Sequence, residues 1–279
     1  MKETLELRIN PEYANLLFKA DEGKNLGKSV KVVELSKYDK RYSQIPIIAK
    51  QVQGNYGKSF FFGWEIKRKY SKKELDSASL MHLKILNTFG PAGEECGTLY
   101  DERKACKICG AKRKQISSLR LKKSSVPRKD IARTIAGEVV VSEKFAKVIK
   151  QKGLKGALLD PIVFNNVTSN YYQLVASAEI DLSQSTVTGI NPFDLSNSSE
   201  GEIYRCPKGH TLGLNLISEP YVINDPSITE NDFMASRQMI GVKRGLLRPG
   251  PLYFCSQAFR EMMEEKELSG FEFEIVHIE

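Results

Sequence analysis

The stretch Val139-Val140-Val141-Ser142-Glu143-Lys144-Phe145-Ala146-Lys147-Val148-Ile149-Lys150-Gln151-Lys152-Gly153-Leu154-Lys155-Gly156 lies without gaps on Tyr253-Phe254-Cys255-Ser256-Gln257-Ala258-Phe259-Arg260-Glu261-Met262-Met263-Glu264-Glu265-Lys266-Glu267-Leu268-Ser269-Gly270. Serine, phenylalanine, lysine, leucine and glycine coincide at 142/256, 145/259, 152/266, 154/268 and 156/270. In each copy an apolar run meets a serine, apolar residues follow at helical spacing, and a glycine precedes a second run (Ala157 to Phe164; Phe271 to Ile278). That order reads as strand, Ser-capped helix, tight glycine turn, strand. An internal duplication of this unit predicts an α+β fold with mixed or antiparallel sheets and short helices.

Ahead of each copy lies a cysteine motif. Cys106-Lys107-Ile108-Cys109-Gly110 has the spacing of a metal knuckle. Two thiolates three residues apart around a tight turn can face one ion, and the glycine lets the backbone turn beneath it. Cys206-Pro207-Lys208-Gly209-His210 is a degenerate partner that lacks the second cysteine, and Cys96-Gly97 looks like half a knuckle. Zinc in a structural site takes four ligands in a closed tetrahedron. The expected set is Cys96, Cys106, Cys109 and Cys206, with His210 the alternative fourth ligand. Such a Zn2+ would act as a zinc-ribbon-like staple joining the two copies, and its removal would loosen them first. Cys255 occupies the place of Val141 mid-strand and reads as a small buried hydrophobe.

The expected organisation is an N-terminal α+β region over 1–90, knuckle repeat one over 91–170 and repeat two with its degenerate knuckle over 171–279. Leu5, Leu7 and Ile9 alternate as in a strand, Asn10-Pro11 opens a helical turn, and Val30 to Leu35 and Ile45 to Ile48 read as further strands. Ser59-Phe60-Phe61-Phe62-Gly63-Trp64-Glu65-Ile66 reads as an aromatic, core-facing strand. Ser71-Lys72-Lys73-Glu74 is a capping box, predicting a helix that carries Leu75 to Met81 with His82 following on it.

Composition, with 41% apolar and 27% charged residues, is that of an ordinary globular chain. No apolar run reaches the length of a spanning helix, so no membrane partner is expected. The first residues carry acids and no apolar core, unlike a secretory signal, and the clustered cysteines suit a reduced, cytoplasmic setting. The net charge of +8 is unevenly spread. Residues 1–150 hold 32 Lys/Arg against 17 Asp/Glu, and residues 151–279 hold 10 against 17. From Arg103 to Lys129 there are 11 basic residues and no acid. This segment makes Lys107, Lys112, Arg113, Lys114, Arg120, Lys122 and Lys123 candidates for contact with a partner or a nucleic acid. The block has little aromatic content for base stacking, which favours a solvated face.

No G-x-S-x-G, H-E-x-x-H or P-loop occurs, and only three histidines are present. A closed four-ligand site leaves no open position for a reacting water, so a non-catalytic protein is expected. An enzyme using an unrecognised site, perhaps the acids near the zinc, is a further alternative.

With both knuckles and the duplication assembled, the chain resembles the bacterial double-CXXCG paralogue family. It is also similar to the wider group of polymorphic-toxin immunity proteins that share a V-S-x-x-F … L-x-G-x-x-x-x-P-V module. The matching residues are Cys106 to Gly110, Val141 to Phe145, Gly153 to Gly156 and Pro161-Ile162, then Cys206 to His210, Ser256 to Phe259 and Leu268 to Phe271. The match covers roughly residues 95–279, and the chain departs from the family in the missing second cysteine of its second knuckle. The resemblance implies a cytoplasmic immunity protein that binds and blocks a cognate toxin without chemistry of its own.

Overall fold

The protein is seen here in a computed structural model that describes residues 1–193 and 204–279. It has two compact units: one comprises Met1–Glu74 with a short stretch beginning at Asn191, and the other holds the remaining described residues. The fold is α+β with mixed sheets and short helices.

The first unit contains β1 (Lys2–Ile9), β2 (Lys24–Leu26), β3 (Val30–Ser36), α1 (Ile45–Tyr56) and β4 (Phe61–Lys69). Its antiparallel sheet has the order β2-β3-β1-β4. The alternation in β1 buries Leu5, Leu7 and Ile9 to 1% exposure or less, as a half-buried strand requires. Asn10 caps a 3-10 turn over Pro11–Leu16 by accepting from the Glu12 amide. Ile45 to Ile48, expected as a strand, instead begins α1. Pro46 fits the first helical turn, and Gly57 at φ +64° closes the other end. The aromatic strand divides its side chains: Phe60 is buried, but Phe62 faces outward at 59% exposure. The capping box forms, with the Ser71 amide donating to Glu74 and the Glu74 amide to Ser71. Its helix, α2 (Lys72–Ser77), stops before Met81, and His82 lies on a strand rather than a helix.

The second unit is built from two equivalent runs. The first is β5 (Met81–Ile85), β6 (Thr88–Phe89), the ribbon β7 (Tyr100–Asp101) and β8 (Lys114–Gln115), β9 (Arg120–Leu121), β10 (Ile131–Thr134), β11 (Val139–Val141), α3 (Glu143–Lys152) and β12 (Ala157–Phe164). The second is β13 (Val167–Ala176), β14 (Glu179–Ile180), β15 (Thr188–Gly189), β16 (Thr211–Gly213), β17 (Asn215–Leu216), β18 (Tyr221–Val222), α4 (Ser227–Glu230), β19 (Phe233–Ile240), β20 (Gly250–Cys255), α5 (Gln257–Glu265), β21 (Phe271–Ile275) and β22 (His277–Ile278). The duplicated unit is therefore longer than the 18 residues in which the two sequences coincide.

Each run surrenders its first strand to the other. One sheet has the order β6-β10-β11-β13-β12-β9, and the other β14-β19-β20-β5-β21. Thus β5 of the first run sits between β20 and β21 of the second, and β13 of the second sits between β11 and β12 of the first. The registers correspond residue for residue. Phe254 and Cys255 pair with His82 and Met81, as Val140 and Val141 pair with Gln173 and Tyr172. Phe271 pairs with Ile85 as Ala157 pairs with Ala176. The short strands that follow, β6 and β14, add parallel to β10 and β19 in matching register.

The turns are exchanged in the same way. Ser142 caps α3, accepting from the Phe145 amide and donating to Asp130, while Ser256 does the same with Phe259 and Asp232. Asp130 also accepts from the Ser269 amide and hydroxyl in the turn after α5, and Asp232 accepts from the Lys155 amide in the turn after α3. At those turns Gly156 and Gly270 have φ +87° and +106°, and a Cβ would stand 2.1 and 2.2 Å from the Phe233 and Ile131 carbonyl oxygens. Only glycine permits that backbone approach. One shared core takes Val139, Val141, Phe145, Val148, Phe233, Cys255, Phe259 and Met263, with the Phe145 and Phe259 rings edge to face at 6.2 Å. Cys255 is fully buried there, in the place that Val141 takes in the first repeat.

Candidate metal centre

The first knuckle is the tip of the β7–β8 ribbon, whose only ladder pairs are Tyr100 with Gln115 and Asp101 with Lys114. The loop closes on itself: the Cys106 amide donates to the Ala111 carbonyl at 2.7 Å, and the Gly110 amide to the Cys106 carbonyl at 2.8 Å. Gly110, at φ +75°, makes the turn after the second cysteine. The second knuckle precedes β16. The Cys206 amide donates to the Thr211 carbonyl at 2.9 Å and the Gly209 amide to the Cys206 carbonyl at 2.8 Å. Both loops are closed by a bond from the first cysteine to the fifth residue after it. In the second, the left-handed glycine comes one position earlier, Gly209 at φ +75°, so the next side chain, His210, turns inward.

The structure brings together Cys106, Cys109, Cys206 and His210, whose donor atoms all lie within 4.8 Å of one another. Cys106 Sγ is 3.8 Å from Cys206 Sγ, and His210 Nδ1 is 3.8 Å from Cys109 Sγ and 3.7 Å from Cys206 Sγ. A tetrahedron with bonds of about 2.3 Å to sulfur and about 2.0 Å to nitrogen has edges of about 3.5–3.8 Å, and these three separations match such edges. The three cysteines are buried and packed beside Met239, and His210 is half-buried. The His210 carbonyl accepts from the Met239 amide, which ties this knuckle to β19.

The local field favours thiolate at the first ligand. The Cys109 amide, then the Ile108 amide and the His210 ring, hold the Cys106 thiol down at about 6, against burial. Burial pushes Cys109 up, opposed by the Thr211 hydroxyl and the Ala111 amide. The Thr211 oxygen has no nitrogen or oxygen partner although it is buried. A metal-bound Cys109 thiolate would give that hydroxyl an acceptor.

Cys96 is not in the cluster, and His210, ranked below it in the sequence, is. Cys96 ends the 3-10 turn Glu94–Cys96, and Gly97 at φ +91° sends the chain away along β7 before it returns to Cys106. Cys96 lines a separate cleft of about 270 Å³ with Arg120, Lys122, Asn165 and Asn166. Its thiol is pushed up by burial, with the Lys122 amide acting the other way.

The basic candidates are divided. Arg113 is committed internally: its side chain is 9% exposed, ion-paired to Glu94 at 2.9 Å and Glu102 at 3.0 Å, and stacked 3.5 Å from the centre of the Tyr100 ring. Arg120 donates to Asn166. Lys107 and Lys112 are exposed on the knuckle and Lys114 on the ribbon, Lys122 lines the Cys96 cleft, and Lys123 is exposed next in the chain. No helix among the described residues is long and apolar enough to cross a membrane. No protein-family model matches the chain, and no curated protein matches it.

Proposed function

We propose that this chain is a zinc-stabilised, non-catalytic binding protein, acting in the cytoplasm as an immunity protein that binds and neutralises a cognate toxin. The observation that carries the zinc reading is the four-donor cluster of Cys106, Cys109, Cys206 and His210, drawn from both repeats with all donor atoms within 4.8 Å of one another. Four protein donors complete the coordination of a structural ion, and the bound ion would contribute folding free energy rather than a reactive water. The immunity reading is supported by the resemblance of the knuckles and the Ser-capped repeats to that family. Zinc analysis of the purified full chain tests the first part: one equivalent per chain is expected, and none would reject it. The second part is tested in cells expressing the toxin encoded beside this gene, where co-expression of the chain should restore growth. Growth arrest unchanged by the chain would reject immunity.

A further inference from the structure

We propose that the face carrying the metal centre is the docking surface for an acidic protein partner, an inference that rests on reading the chain as a binding protein. Three acid-free stretches converge there. Arg103 to Lys129 supplies the first knuckle, Tyr204 to Ser218 the second, and Phe233 to Arg260 the strands and connection beside them. The half of the chain with an acidic balance thus contributes cations at this face. Lys107 lies between Cys106 and Cys109, Lys112 follows the knuckle, and Lys208 lies between Cys206 and His210. The methylenes of Lys243 reach across Gly110, with a Cβ there only 3.0 Å from the Lys243 Cδ, and Arg244 comes next. These five cations are exposed and make no ion pair among the described residues. Among the described residues, Asp101 is engaged by Arg103, and both Glu94 and Glu102 by Arg113.

Apolar groups stand among the cations. Ile108, at the tip of the first knuckle, is 54% exposed, and Leu247, bridged to Arg244, is 44% exposed. Neither knuckle loop, 102–112 or 206–211, carries Phe, Tyr or Trp. Single-stranded nucleic acid is held by aromatic stacking above a cationic groove, whereas a protein interface sets apolar contacts inside a polar rim. The mixture of aliphatic tips and lysines fits an acidic polypeptide surface, whose charge would steer and orient the encounter.

The test uses the zinc-loaded full chain and three labelled probes: a 20-residue peptide of glutamates interspersed with leucines, and single-stranded and duplex DNA of 20 nucleotides. The peptide should bind more tightly than either DNA. Lys107→Glu/Lys208→Glu/Lys243→Glu should weaken peptide binding about tenfold or more, and Ile108→Ala about threefold, with zinc content unchanged. Lys24→Glu/Lys28→Glu/Lys50→Glu, the same charge change on the first unit, should alter it less than about twofold. Tighter binding of either DNA, or equal losses from the two triple variants, overturns the inference. Failure of the wild-type chain to protect toxin-expressing cells, with peptide binding still lost in the Lys107/Lys208/Lys243 variant, strikes the immunity reading and supports the surface. Wild-type protection by that variant with unchanged peptide binding overturns the surface alone.

Discussion

Gly156 and Gly270 hold the two repeats together at points where no side chain fits. Each combines a positive φ with a carbonyl oxygen about where its Cβ would be, at 2.1 and 2.2 Å. Alanine at either position must displace the backbone of the other repeat, and each substitution should cost about 2–4 kcal/mol. Urea denaturation measures this, and a loss below about 1 kcal/mol would show that the turns yield easily. Asp130 collects donors from Ser142 and from Ser269, so Asp130→Ala leaves those groups short of a partner in a half-buried site. Tyr253 makes stability depend on pH. Its ring stacks on Phe233, and burial pushes the phenol up to about 12 from the ordinary 10.0. The unfolded chain gives up that proton first, so the contribution is whole below pH 10 and is lost as pH rises toward 12. The urea midpoint should fall over that window, and fall less in Tyr253→Phe; identical slopes would dismiss the assignment.

At the scale of elements, each knuckle is a short closed loop that places its donors with little help from the core. The ligand assignment therefore makes opposite forecasts for neighbouring cysteines. Cys96→Ser should retain one equivalent of zinc, whereas Cys206→Ser and His210→Ala should lower retention against a competing chelator by about tenfold or more. Retention by His210→Ala with loss in Cys96→Ser would restore the set first expected from the sequence. Thr211→Val keeps the shape of the site but removes the hydroxyl beside Cys109. A weaker hold on zinc with unchanged stoichiometry is expected from it.

Across the second unit, the exchange of β5 and β13 makes each sheet depend on both runs. The connection between the runs is a tight turn at Asn165-Asn166, both with positive φ. A protease site inserted there should be cut without separating the fragments. The severed halves should elute together in size-exclusion chromatography, because β5 is paired on both sides within the other run's sheet. Separation of the fragments in buffer without denaturant would refute the exchange. Chelation before cutting should make the cut complex easier to part, if the metal clasps the two knuckles.

The sequence alone determined the local units of this protein. Ser142 and Ser256 announce their helices because a cap is a contact within three residues, and the C-x-x-C-G motif announces its knuckle because a turn that short leaves few alternatives. The strand β11, the fate of Cys255 and three of the four clustered donors were legible for the same reason. Local signals failed where the outcome depended on distant partners. Met81 and His82 read as the end of a helix, yet they begin a strand because two strands from the far end of the chain offer it a ladder on each side. His210 ranked below Cys96 because thiolates cluster in the sequence, but a glycine one residue earlier in the second knuckle aims the imidazole inward. Arg113 looked like part of an open basic surface until the fold set two carboxylates and a tyrosine ring around it. Spacing along the chain fixes which residues can meet within a turn; which turns meet each other is decided by the packing of strands that come from opposite repeats.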